Sequence, residues 1–124
     1  MQRGVILLGH GSRQPAANQE IRLIAEQVKK MGEQTDTIYE TGFLQFGEPT
    51  LPQAIAELVA RGVKNITIVP VLLTVGTHIQ FELPKLIQEQ QGQYPEVSFR
   101  LAPHLGADPR IAEILLDRIK QGSE

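Results

Sequence analysis

The chain has 124 residues, no cysteine and a formal charge of -2, a length expected for one domain over residues 1–124. A cysteine-free chain excludes a disulfide framework, a zinc ribbon and a thiol nucleophile. Near-neutral charge and scarce aromatics (two Tyr, four Phe, no Trp) speak against nucleic acid, anionic membrane and base stacking as targets.

The apolar run Val5 to Leu8 is too short for a signal-peptide core or a membrane span, so the expected location is the cytoplasm. Bounded by Gly4 and Gly9, that run reads as a buried strand. Gly9-His-Gly-Ser-Arg13 is then a tight turn, and Pro15 suits the first turn of a helix. Ile21, Ile24, Ala25 and Val28 recur at helical spacing, with Gly32 as the stop. Thr35 to Phe43 carries β-branched residues and reads as the second strand. Gly47 to Thr50 is a loop. Leu51, Ile55, Leu58 and Val59 form the apolar face of a second helix closed by Gly62. Asn65 to Leu73 is a strand that Pro70 must end or bulge. Thr74 to Thr77 is a turn, and Pro84 is expected near the start of a third helix with Leu83, Leu86 and Ile87 inward. Val97 to Ala102 is the fourth strand. Asp108-Pro109 is an N-cap and first-turn pair for a last helix bearing Ile111, Ile114, Leu115 and Ile119.

The order βαβαβαβα predicts an α/β fold: a four-stranded parallel sheet with helices on both faces, of the flavodoxin-like or chelatase-like kind. Ligands of such sheets sit beyond the carboxyl ends of the strands, where strand order reverses. The turns to inspect are Gly9–Gln14, Phe43–Thr50, Leu73–Glu82 and Pro103–Asp108. The chain has three histidines, His10, His78 and His104, and all fall in these turns. Neutral imidazole binds borderline divalent metals and titrates near neutrality. Two or three histidines with open positions can hold a metal that must later leave, which a closed four-ligand site cannot. The alternative for each is a solvated loop histidine. A strand, a glycine turn and a helix N-terminus can cradle a phosphate, yet Gln14 breaks G-x-G-x-x-G in the Gly9–Ser12 turn and no Walker run exists. Ser12 lacks the G-x-S-x-G setting of a nucleophile and is expected to cap the first helix.

Leu8-Gly-His-Gly-Ser-Arg13, Gly42-Phe-Leu-Gln-Phe-Gly-Glu-Pro49, Val69-Pro-Val-Leu-Leu-Thr-Val-Gly-Thr-His78 and Leu105-Gly-Ala-Asp-Pro109 together resemble the class II tetrapyrrole chelatases. Gly76-Thr-His-Ile-Gln-Phe-Glu-Leu-Pro84 is similar to that family's G-x-H-x-x-x-D-[IL]-P segment. The resemblance spans nearly the whole chain and matches the short, single-domain sirohydrochlorin cobaltochelatases. It implies insertion of a divalent metal into sirohydrochlorin, in cobalamin or sirohaem synthesis. Cobalt is the leading metal, with iron or nickel as alternatives, and the metal is a substrate rather than a permanent cofactor. It implies a homodimer and makes His10 and His78 the metal-binding and catalytic pair. A non-catalytic metal or tetrapyrrole carrier and a flavodoxin-like nucleotide-binding domain are the competing classes.

Metalation displaces two pyrrole protons, and one of the two histidines, with Glu82 or Glu48 nearby, is expected to accept them. Gly11, Ser12 and Arg13 are expected to hold substrate carboxylates. Leu44, Phe46, Val75, Gly76 and Thr77 are expected to border an apolar slot for the macrocycle, with Phe81 a further candidate and core packing the alternative. Two departures from the family pattern bear on metal choice: Gln45 stands where an acidic residue is frequent, and Glu82 where Asp is. His104 is either an extra ligand or a local substitution without effect.

Overall fold

The computed structural model describes residues 2–32 and 36–123. The elements run β1 (Arg3–Gly9), α1 (Pro15–Gly32), β2 (Thr37–Phe43), α2 (Leu51–Ala60), β3 (Asn65–Pro70), α3 (Thr77–Gln93), β4 (Ser98–Leu101), a short 3-10 turn (Leu105–Ala107) and α4 (Arg110–Gly122). The strands form one parallel sheet in the order β2-β1-β3-β4. The βαβαβαβα reading therefore holds. Thr35, the expected start of the second strand, lies outside the described residues.

Alternation along the strands divides the sheet into two unequal faces. Ile6, Leu8, Ile66 and Ile68 point to one side, where they meet Leu51, Ile55 and Leu58 of α2 and Leu83 of α3 in the main core. A side chain at Gly4 or Gly42 would run into Leu58 or Ile6 on that side. Among the described elements, α1 is the helix that covers the opposite face, through Ala25 and Asn18. α2 starts with a capping box: Thr50 Oγ1 accepts the Gln53 N–H, and the Gln53 side chain accepts the Thr50 N–H.

Three local expectations need correction. Pro84 does not stand near the start of α3; it is its eighth residue, because the helix begins at Thr77. A proline inside a helix has no N–H for the carbonyl four residues back, here that of Gln80. At this exposed position water can serve that carbonyl instead. His78 consequently lies in the first helical turn of α3 rather than in a loop. The apolar stripe of α1 is only partly buried: Ala25 is covered, but Ile24 and Val28 are exposed. α4 forms where the pattern places it, yet none of its residues is buried. Pro70 ends β3, as expected.

Asp108 starts α4. Its carboxylate accepts the Arg110 N–H at 2.8 Å and pairs with the Arg110 guanidinium at 2.7 Å. Hydrogen bonding from Arg110 pushes the Asp108 pKa down to about 2.

Candidate functional site

The chain leaves β1 for β2 on one side of the sheet and returns to β3 on the other. The reversal lies between β1 and β3, and a ligand crevice opens beyond the carboxyl ends of those two strands. His10 follows β1 directly. His78 is the second residue of α3, eight residues after the end of β3, by way of the loop 71–76.

The turn after β1 is held by the loop after β2. Leu44 N–H donates to Gly9 O and Gln45 N–H to His10 O, both at 3.1 Å, so the ladder between β1 and β2 runs on past their ends. Gly11 has φ +93, and a Cβ there would collide with the Gln45 carbonyl oxygen. Only glycine allows this approach. Asn18, buried on α1, closes the arrangement. Its side chain accepts from Ser12 N–H and donates to Ser12 O, both at 2.9 Å, and to Phe46 O at 3.1 Å. Ser12 is therefore not the cap of α1. Its hydroxyl accepts the Gln14 N–H at 3.0 Å and shapes the turn ahead of the helix. Asn18 was not singled out from the sequence. The signal was there: a polar residue at 18 continues the inward positions 21 and 25 of an amphipathic helix, and a buried amide must find partners.

His78 and Glu82 are four residues apart on α3, on the same face one turn apart. With His10, Leu44 and Gln45 they line one hollow of about 180 Å³, whose apolar floor includes Leu83 and Leu86. The residues expected to be metal-binding and proton-accepting thus converge from the turn after β1 and from α3, beside the loop after β2. The Gln45 side-chain amide lies 3.2 Å from His10 Nδ1, and Gly11 O lies 3.4 Å from the same atom. A carbonyl oxygen can only accept, so the Gly11 contact favours a proton on Nδ1. A half turn of the Gln45 amide then presents its oxygen to that proton. His10 Nε2 is then left with its lone pair, the tautomer a metal ligand needs.

Two larger hollows flank this one. A mostly apolar space of about 630 Å³ is bordered by Val75, Ile79, Leu83, Leu101 and His104. It shares Ile79 and Leu83 with the histidine hollow. His104 borders this larger space and not the one holding His10 and His78. On the other flank, about 480 Å³ is bordered by Ser12, Arg13, Arg22, Phe46 and Glu48. There the Arg13 guanidinium lies 4.6 Å from the centre of the Phe46 ring, and Arg22 donates to Glu48 O at 2.9 Å. Arg22 is a second cation at this hollow that the sequence did not single out, because it occupies a helix rather than a turn. Gly76 precedes α3 and Thr77 opens it; neither lines these three hollows. Phe46 is 53% exposed and Phe81 73% exposed, so neither is core; Phe81 borders none of the three hollows.

Among the described residues no three His, Cys, Asp or Glu side chains form a metal-holding group. The hollow therefore offers imidazoles and a carboxylate without a closed ligand set, and coordination positions stay open to something else. That suits transient capture and transfer of an ion. No described helix is long and apolar enough to cross a membrane.

Comparison with known proteins points the same way. Residues 4–122 match the family model described as CbiX. The sirohydrochlorin cobaltochelatase of Methanopyrus kandleri is 37% identical, over 94% of this chain and 94% of that one. Two solved structures share the fold. SirB from Bacillus subtilis with Fe3+ superposes with a TM-score of 0.86 at 28% identity, covering 98% of this chain and 47% of that chain. The sirohydrochlorin chelatase SirB from Bacillus subtilis subspecies spizizenii in complex with cobalt gives 0.87 at 27% identity, covering 98% and 51%. This chain thus spans about half the length of either SirB. With a full-length family match and the expected histidines converging at the switch point, the chain belongs to the CbiX family.

Proposed function

We propose that this protein is a sirohydrochlorin chelatase that inserts a divalent metal, cobalt in the first instance, into the tetrapyrrole. The observation that carries the proposal is the convergence of His10, His78 and Glu82 on one open hollow beside a mostly apolar space large enough to admit part of a macrocycle. The metal ion is a substrate. His10 and His78 strip part of its water and present it to one face of the ring. The ring then supplies four nitrogens and loses two N–H protons, so that the metal-bound core is neutral. Glu82, one turn from His78, accepts a proton on its way to solvent. Arg13 and Arg22 hold peripheral carboxylates of the substrate, and Val75, Ile79 and Leu83 border the ring. The protein works in the cytoplasm as a homodimer and serves cobalamin synthesis.

A metalation assay tests this, following the absorbance change of sirohydrochlorin with Co2+, Fe2+ and Ni2+ at matched free concentrations. Multiple turnovers are expected with Co2+. His10→Ala and His78→Ala should each lower the rate at least about a hundredfold with an unchanged far-UV circular dichroism spectrum. Full activity in either variant removes that residue from the mechanism. Stoichiometric binding without turnover makes the protein a carrier.

A further inference from the structure

The histidine hollow is much smaller than the two that flank it, about 180 Å³ against about 630 and 480 Å³. A tetrapyrrole whose nitrogens reach a metal between His10 and His78 is far wider than that hollow. Its rim must run out over both neighbours. Sirohydrochlorin bears carboxylates all round its rim, so negative charge arrives on both flanks. On one flank Arg13 and Arg22 are at hand. The other flank is walled by apolar side chains, among them Leu73 and Leu101, which are 64% and 43% exposed. A carboxylate placed there without a partner would lose hydration and gain nothing in return.

His104 is the one side chain of that lining able to carry a charge. It is half-buried, and its ring makes no hydrogen bond to any described residue. Its backbone is clamped on both sides. Ala102 N–H donates to Ile68 O at 2.9 Å before it, and Gly106 N–H donates to Leu72 O at 3.0 Å after it. Its own carbonyl accepts the Ala107 N–H at 3.1 Å and closes the 3-10 turn. A side chain at Gly106 would run into the Leu73 carbonyl, so this segment lies directly on the loop after β3. The imidazole is therefore unpartnered while its backbone is fixed before any ligand arrives, which lowers the cost of binding one. A metal is poorly served at this place. No other His, Cys, Asp or Glu lines the hollow, whereas a catalytic metal is commonly held by three protein ligands.

We propose that His104 is a substrate-binding residue, whose imidazole N–H donates to a peripheral carboxylate of the tetrapyrrole on the flank away from Arg13 and Arg22. The proposal rests on the chelatase reading and adds a specificity determinant to it. An imidazole offers an N–H donor whether neutral or protonated, and a carboxylate accepts it in a short, charge-assisted bond. The apolar wall beside His104 excludes water and strengthens that bond. Contacts on two opposite flanks also stop the ring from turning in its seat, so its nitrogens stay aligned with the metal held by His10 and His78.

Steady-state metalation at saturating Co2+ and a fluorescence titration with metal-free sirohydrochlorin test the contact together. His104→Leu keeps the bulk of the side chain and removes the donor. It should raise KM and Kd for sirohydrochlorin about tenfold, the scale of one hydrogen bond to a charged group. Both kcat and the Co2+ affinity of the substrate-free protein should stay within about twofold, as expected when only uniform binding is lost. His104→Lys restores a donor and should recover most of the affinity, a rescue that a merely structural histidine would not show. In the unmutated protein the imidazole nitrogen resonances of His104 should move when metal-free sirohydrochlorin is added. Resonances that stay still, or an unchanged KM and Kd in His104→Leu, overturn the contact and leave the chelatase reading standing if the wild type turns over. A weaker Co2+ affinity in substrate-free His104→Leu makes the residue a metal ligand and overturns the contact as well. So does a fall in kcat with Kd unchanged. A wild-type protein that neither binds nor metalates sirohydrochlorin overturns both readings.

Discussion

The side-chain amide of Gln45 stands 3.2 Å from Nδ1 of His10. Position 45 is uncharged here, so orientation of the imidazole rests on a dipole instead of a carboxylate. Such a partner fixes the tautomer and ring angle of a metal-binding histidine, and its loss typically costs about 10–100-fold in affinity or activity. Gln45→Leu should lower cobalt insertion about tenfold and leave Gly11 O as the remaining partner of Nδ1. Gln45→Glu should restore or exceed the wild-type rate. Nitrogen NMR of the imidazole distinguishes positioning from simple packing: the Nδ1–H tautomer should dominate in the wild type and lose ground to Nε2–H in Gln45→Leu. An unchanged tautomer ratio removes Gln45 from this role.

Gly11 couples the histidine turn to the loop after β2. At φ +93, with the Gln45 carbonyl in the path of a Cβ, Gly11→Ala must shift one of the two segments. The left-handed backbone alone costs about 1–2 kcal/mol for an L-residue, and the collision adds to it. Urea denaturation should show a loss of about 2 kcal/mol or more, with metal insertion falling further because His10 and Gln45 are displaced together. A variant as stable and active as the wild type would mean the turn relaxes freely.

The fold was legible because hydrophobic period and glycine and proline punctuation agree along most of the chain. Val5 to Leu8 and Ile66 to Val69 are short β-branched or leucine runs, and each is followed by a 3.6-residue pattern. The position of His10 followed from the end of β1. What lay hidden depends on partners distant in sequence. Pro84 looked like a helix start because proline favours that place, whereas the turns of α3 on either side outweigh its missing bond. Asn18 and Gln45 acquire meaning only when the loop after β2 lies against the turn after β1. Periodicity in Ile111, Ile114, Leu115 and Ile119 predicts a helix with one apolar face, but nothing local says that the face does not meet its own sheet.

Glu40 offers a test of electrostatics away from the site. It stands on β2, and its pKa is raised by burial first and by the nearby Glu57 carboxylate second, against the pull of Arg61 at 3.7 Å. A carboxyl whose folded pKa lies above its unfolded one is held more tightly as the neutral acid in the folded state. Stability from this group is thus greatest below the unfolded value, near 4.5, and declines as pH rises through the higher folded value. Glu40→Gln should raise the melting temperature slightly at pH 7, and the gain should vanish below about pH 4.5. A lower melting temperature at pH 7 would show that the Arg61 pair outweighs burial.

In the proposed mechanism Glu82 is the group that takes the pyrrole proton. It shares the hollow with both histidines, one helical turn from His78. Glutamine keeps the size and hydrogen-bonding reach of the side chain but cannot take a proton from a pyrrole nitrogen. A positioned base contributes about 10²–10⁴-fold in typical enzymes, so Glu82→Gln should cost about a hundredfold in kcat while metal binding, measured separately by titration with Co2+, changes little. The acid limb of the kcat/KM profile should flatten, because that limb reports protonation of the essential base. Glu82→Asp restores a carboxylate one methylene shorter and should recover much of the rate. If glutamine leaves both the rate and the acid limb intact, one of the two histidines accepts the proton. Glu82 would then act only through the charge it adds to the hollow, and Glu82→Gln should weaken Co2+ binding instead of slowing turnover.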